Sequence, residues 1–113
     1  MLPRENRIKK KKDFAEVFKG GFTAVGCFFV LKYKKTGDNL TRCAFVFPVK
    51  KEKSAVRRNR VKRLFREVLR KELGVMEEGF DMVFIIKAEA RDVCYEDVKK
   101  DVKKVLNKSK IIK

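Results

Sequence analysis

Eleven lysine and arginine side chains fall within the 22 residues KKEKSAVRRNRVKRLFREVLRK, Lys50 to Lys71, against two acids, Glu52 and Glu67. Charge this dense repels itself and calls for a polyanion or a great deal of water. The same stretch carries an apolar stripe. Val61, Leu64, Phe65, Val68, Leu69 and Leu73 recur at three- and four-residue steps, the period of a helix. Ser54 is placed to cap its start and Gly74 to close its end. At about 100° per residue, Asn59, Arg63, Arg66 and Arg70 gather on the face opposite the stripe. One side of this helix needs a core, and the other shows a row of guanidiniums.

The bland explanation for such a row is a solvated surface. Two details oppose it. Arg57, Arg58 and Arg60 crowd the first turns, where the helix dipole is positive and each cation costs about 0.3–1 kcal/mol. The row also favours arginine, whose planar fork matches phosphate oxygens and whose face stacks on bases. The helix reads as nucleic-acid-binding.

A chain of 113 residues is one domain, large enough for a single modest core. Its 31 basic residues against 15 acids leave a net charge of +16, which points to nucleic acid, with an anionic membrane surface as the competing partner. No apolar run approaches the roughly 20 residues that span a bilayer, and no signal-peptide core is evident. A cytoplasmic protein without a membrane is expected. Cys27, Cys43 and Cys94 are scattered, with no C-x-x-C pair and no histidine. They read as buried reduced thiols rather than as a zinc site.

Residues 1–12 form a basic, flexible lead-in. A short helix follows from Asp13 to Lys19, stopped by Gly20 and Gly21. Phe14 and Phe18, four apart, share one of its faces, ordinarily as an anchor on the core. Strands are expected at 27–33 and 42–49, joined as a hairpin through Gly37, Asp38 and Asn39. A further strand lies at 80–86, apolar enough to be covered on both faces. The last helix runs from about Tyr95 to Lys108, with acids at its start and lysines at its end. The order helix, strand, strand, with room for one further strand, then helix, strand, helix implies an α+β sandwich with helices over a small sheet. Strand 42–49, the basic helix and strand 80–86 make a parallel βαβ unit, and physics alone favours a right-handed crossover.

No catalytic constellation appears. The chain lacks a histidine base, a nucleophile elbow and a phosphate-cradling glycine loop. Asp97 and Asp101 share a helix face, as many surface pairs do.

The run AVRRNRVKRLFRE, Ala55 to Glu67, resembles the signature helix of the protein subunit of bacterial ribonuclease P, and RIKKKKDFAEVFKGG, Arg7 to Gly21, resembles that family's first segment. The resemblance spans nearly the whole chain. It implies a left-handed βαβ crossover, and a non-catalytic subunit of an endoribonuclease whose catalyst is a large RNA using magnesium. The partners implied are that RNA and precursor tRNA, whose 5′ leader is removed; no small-molecule substrate is implied. Carried over by residue, Phe14 and Phe18 line a leader cleft between the sheet and the signature helix. Asn59, Lys62, Arg63 and Arg66 form its helical wall, and Lys50 and Lys51 lie in the loop before it. Arg58 and Arg60 hold the helix in place and contact the catalytic RNA. The chain departs from the family twice. Lys32 stands where the family often has a cleft aromatic, so either Lys32 reaches a phosphate or a bulge brings in Tyr33. Lys53 stands where the family usually has glycine. Two other readings compete: a ribosomal or RNA-chaperone protein, and a self-sufficient nuclease.

Overall fold

The computed structural model describes residue 8 and residues 11–36, 41–72 and 79–109. Along the chain run α1 (Lys11–Gly20), β1 (Phe22–Val25), β2 (Phe29–Lys35), β3 (Arg42–Val46), α2 (Ala55–Glu72), β4 (Phe80–Ile86), a 3-10 turn (Ala88–Ala90) and α3 (Tyr95–Lys108). This is the expected α+β order with the additional strand present. The glycine closure at Gly74, Leu73 and the turn residues Gly37 to Asn39 lie outside the described residues.

The four strands lie in the order β1-β2-β4-β3. β1 and β4 are each antiparallel to β2, and β3 is parallel to β4. The parallel β3–α2–β4 unit is therefore present, but the expected hairpin is not: β2 and β3 are not neighbours. β4 has taken the place between them. Its sequence FDMVFII suits that position, because Met82, Val83, Phe84 and Ile86 are all fully or almost fully buried, and only a central strand is covered on both faces. β2 instead forms its hairpin with β1, a four-residue strand too short and too soon after two glycines to stand out.

Alternation along the strands separates two apolar layers. Phe29 and Leu31 of β2, Cys43 of β3, and Met82, Phe84 and Ile86 of β4 pack on Val61, Phe65, Val68 and Leu69 of α2 and on Val98, Val102, Val105 and Leu106 of α3. On the other face, Ala44 and Val83 meet Val17 of α1 and Ile8, with Phe14 and Ile85 against them. So α2 and α3 cover one face of the sheet, and α1 covers part of the other.

Two contacts tie α1 and the segment before it to the sheet. A side chain at Gly21 would come within 2.3 Å of the Val17 carbonyl oxygen and 2.6 Å of that of Tyr33, so only glycine lets the end of α1 approach β2. Ile8 is buried and its N–H donates to the Cys43 carbonyl at 3.0 Å. The lead-in is thus docked at this residue, where a flexible tail was expected. Six per cent exposure places Ile8 in the smaller core.

Candidate nucleic-acid interface

The start of α2 is built by side chains that serve backbone. Ser54 caps it: its hydroxyl accepts from Arg57 N–H at 3.3 Å, and its carbonyl accepts from Arg58 N–H at 3.0 Å. No acid stands in the first turn. The cations there are offset locally instead. Arg58 donates from Nη1 to the Glu52 carbonyl at 2.8 Å and the Lys53 carbonyl at 3.0 Å. Arg60 donates from Nη2 to the Val93 carbonyl at 2.9 Å and from Nη1 to that of Arg91 at 3.5 Å. Each guanidinium has five N–H donors, so both retain donors beyond these bonds.

Further along α2 the residues are less engaged. The side chains of Asn59, Lys62 and Arg63 make no hydrogen bond or ion pair among the described residues. Asn59 and Arg63 are exposed, while Lys62 and Arg66 are half-buried. Arg70, in the same row, reaches Glu67 at 3.2 Å. Lys50 and Lys51 are exposed in the turn after β3, where Lys51 N–H donates to the Pro48 carbonyl at 2.9 Å.

The second surface is the α1 side of the sheet. Phe14 is half-buried against the smaller core, whereas Phe18 is 48% exposed. Lys32 lies on this face, opposite Val83 in the β2–β4 register. That register runs unbroken from Phe29 to Lys35, so no bulge turns Tyr33 toward α1. Tyr33 packs on the other face, its ring 5.8 Å from that of Phe22 and 6.1 Å from that of Phe80. Lys32 Nζ donates to the Thr23 hydroxyl at 2.8 Å. Lys34 and Glu16 clip α1 to β2 at 3.1 Å, and Arg42 grips Asp81 through two bonds of 2.9 and 2.7 Å.

These placements revise the expected cleft. Phe14, Phe18 and Lys32 occupy one side of the sheet, and α2 packs on the other. The phenylalanines and the guanidinium row therefore do not face each other across one groove between α2 and the sheet. The cysteines need correcting too. Cys43 is buried, but Cys27 and Cys94 are exposed. Cys94 stands at the start of α3, where its thiol meets Asp97 at 3.1 Å.

The family model described as Ribonuclease P matches residues 2–110. The chain belongs to that family. A ribonuclease P protein component from Pseudanabaena sp. (strain PCC 6903) is 33% identical over 113 residues, covering 99% of this chain and 97% of that one. Among solved structures, the Staphylococcus aureus RNase P protein superposes with a TM-score of 0.85 at 25% identity, over 96% of this chain and 98% of its own. The RNase P protein from Thermotoga maritima gives 0.81 at 30% identity, over 90% and 96%. Members of this family are protein components of an endoribonuclease, so the ribosomal and chaperone alternative falls away. Among the described residues no helix is long and apolar enough to cross a membrane.

Three features of the molecule escaped sequence reasoning. Glu52, lost among lysines, is buried. Arg91 lies in a connection that carried no motif, yet reaches Glu52. Asp101 is no surface acid: it is buried and accepts from the N–H groups of Cys27 and Phe28, both at 2.9 Å. Only Asp101 left a trace in the pattern, since it sits beside Val98, Val102 and Val105 on the apolar side of α3.

Proposed function

We propose that this chain is the protein subunit of a ribonuclease P ribonucleoprotein, binding the catalytic RNA and the single-stranded 5′ leader of precursor tRNA. The observation that carries it is the pairing of two surfaces of different chemistry on one small sandwich. One is a row of cationic side chains on α2, with Asn59, Lys62 and Arg63 uncommitted among the described residues. The other is the α1 side of the sheet, which carries the exposed Phe18 and, on β2, Lys32. Single-stranded RNA is held in this manner, by cations along the phosphates and aromatic faces under the bases, with little dependence on sequence. A leader that differs between tRNAs needs such a reader. We assign Phe14, Phe18 and Lys32 to the leader, and Asn59, Lys62, Arg63 and Arg66 to the wall formed by α2. Lys50, Lys51, Arg58 and Arg60 go to the catalytic RNA.

Catalysis is assigned to the RNA, with magnesium ions held there. The chain has no histidine to act as a base near neutral pH. The buried acids Asp81 and Asp101 are bonded to Arg42 and to backbone N–H groups, and so serve the fold. A protein of this kind works in the cytoplasm with its RNA. The test is reconstitution with a transcribed bacterial ribonuclease P RNA, precursor tRNA and near-physiological magnesium. Efficient cleavage at the mature 5′ end is expected only from the mixture. Cleavage by the protein alone, surviving repurification, would move catalysis to the protein; no gain over RNA alone with several such RNAs overturns the assignment.

A further inference from the structure

We propose that Arg57 and Arg91 form a clamp for one phosphodiester group of the RNA partner, and that Glu52 is the residue that positions them. The clamp rests on the RNA-binding reading above and adds a site to it. Neither arginine belongs to the row on the outer face of α2. Arg57 stands in the first turn of that helix, and Arg91 follows the 3-10 turn after β4.

Glu52 is 8% exposed, in the loop between β3 and α2. Its Oε1 accepts from Ser54 N–H at 3.0 Å. Its Oε2 is buried without a hydrogen-bond partner among the described residues. Two guanidiniums approach that oxygen, Arg57 through Nη1 at 3.7 Å and Arg91 through Nε at 3.9 Å. These distances are too long for hydrogen bonds, yet short enough for the carboxylate charge to offset the repulsion between the two cations. Both arginine side chains are more than half exposed, 55% and 52%. One carboxylate therefore gathers two guanidiniums from separate elements and leaves both with donors facing solvent.

The backbone beneath them is fixed. Arg58 holds the Glu52 loop by its carbonyls, and Arg60 holds the Arg91 turn by its own. Two cations and one anion leave a single positive charge, matched to the single negative charge of a phosphodiester. An arrangement serving only the fold would close the Glu52 oxygen, since a buried carboxylate oxygen without a donor is costly. With a phosphate on the outer side, each guanidinium is held between two anions, the geometry its forked donors suit. The exposed Lys50, Lys51 and Lys53 on the same loop extend the positive field beyond one group, which favours a polyanion over a free anion.

The experiment titrates a transcribed bacterial ribonuclease P RNA with the full chain and its variants over a range of salt, with thermal melts reporting the fold. Arg57→Ala and Arg91→Ala are each expected to weaken binding about five- to tenfold near 0.1 M salt and to lower the salt slope by about one, and the double variant by about two. Glu52→Gln is the decisive variant. It keeps the shape and removes a negative charge, so plain electrostatics tightens RNA binding; positioning predicts weaker binding instead, and little further loss when Arg91→Ala is added. Arg91→Lys, with the charge but not the fork, falls between. Should Arg91→Ala bind with unchanged affinity and slope while the unaltered protein binds normally, the clamp is wrong and the RNA-binding reading stands. Tighter binding by Glu52→Gln removes Glu52 from the role. If the unaltered protein fails to bind the RNA, the reading beneath the clamp fails with it. Because Arg57 and Arg91 are exposed, their variants decide the question even where Glu52→Gln fails to fold.

Discussion

Asp101 and Glu52 are both buried carboxylates beside a helix and a loop, 6% and 8% exposed, and their surroundings are opposite. Asp101 is closed. Each of its oxygens accepts a backbone N–H at 2.9 Å, from Cys27 and Phe28, and a side chain at Gly26 would come within 2.9 Å of Oδ2. Lys87 fastens the same turn by donating to the Gly26 carbonyl at 2.9 Å. Glu52 is open. One oxygen caps Ser54 N–H, and the other faces two guanidiniums beyond bonding distance. Charge-assisted bonds from backbone make a buried acid part of the fold. An acid that keeps one oxygen for exposed cations suits an arrangement around something those cations hold.

The contrast breaks most easily at Asp101. Asp101→Ala strips both bonds from the β1–β2 turn and is expected to cost about 2–4 kcal/mol, measured by urea unfolding, with RNA affinity unaltered. A cost under about 0.5 kcal/mol, the range of an ordinary surface change, would erase the distinction. On the α1 face, Phe14→Ala is expected to lose about 2 kcal/mol of stability, less than a fully buried phenylalanine loses, together with some leader affinity. Phe18→Ala should leave stability within about 0.5 kcal/mol and weaken binding of precursor tRNA by about 1–3 kcal/mol if a base stacks there. Arg63→Ala or Arg66→Ala is expected to weaken precursor tRNA more than mature tRNA and to lower the salt slope by about one. Equal weakening of both tRNAs would detach α2 from the leader.

The smallest effect concerns the thiols. Burial, and secondarily the Asp81 charge, pushes the Cys43 thiol up to about 12. A thiol reagent at pH 8 should therefore modify Cys27 and Cys94 in the folded protein and reach Cys43 only on unfolding. The raised value favours the neutral thiol in the fold. Its contribution to stability is complete below the ordinary value of 9.0 and is lost as pH rises from there toward about 12.

Much of the fold was legible in local pattern. α3 has the expected bounds, Tyr95 to Lys108, because its apolar period and its end charges agree. Ser54 caps α2 as its residue type suggests. β1 was not legible: Phe22, Thr23, Ala24 and Val25 are exposed or half-buried, so no burial pattern marks them. The strand order was not legible either, because pairing partners are chosen by how β4 is covered and not by proximity in sequence. For the site, residue types told which side chains suit RNA, but not their neighbours. Arg58 and Arg60 share a motif with Asn59, yet the arginines bond to carbonyls at 2.8 and 2.9 Å.

What the sequence determined by itself is a polyanion as the class of partner and an amphipathic helix suited to it, since charge density and helical period are properties of the chain read locally. The family, too, was present in Arg58 to Arg66 and in the segment around Phe14 and Phe18. Tertiary structure decided which of those groups can act together. It set α1 and α2 on opposite faces of the sheet, turned Lys32 toward α1 and Tyr33 away by an unbroken register, and brought Arg91 to Glu52. The reason is physical. A side chain's chemistry travels with its residue, but its desolvation and its partners come from segments far along the chain, and these exist only once the sheet has closed around its core.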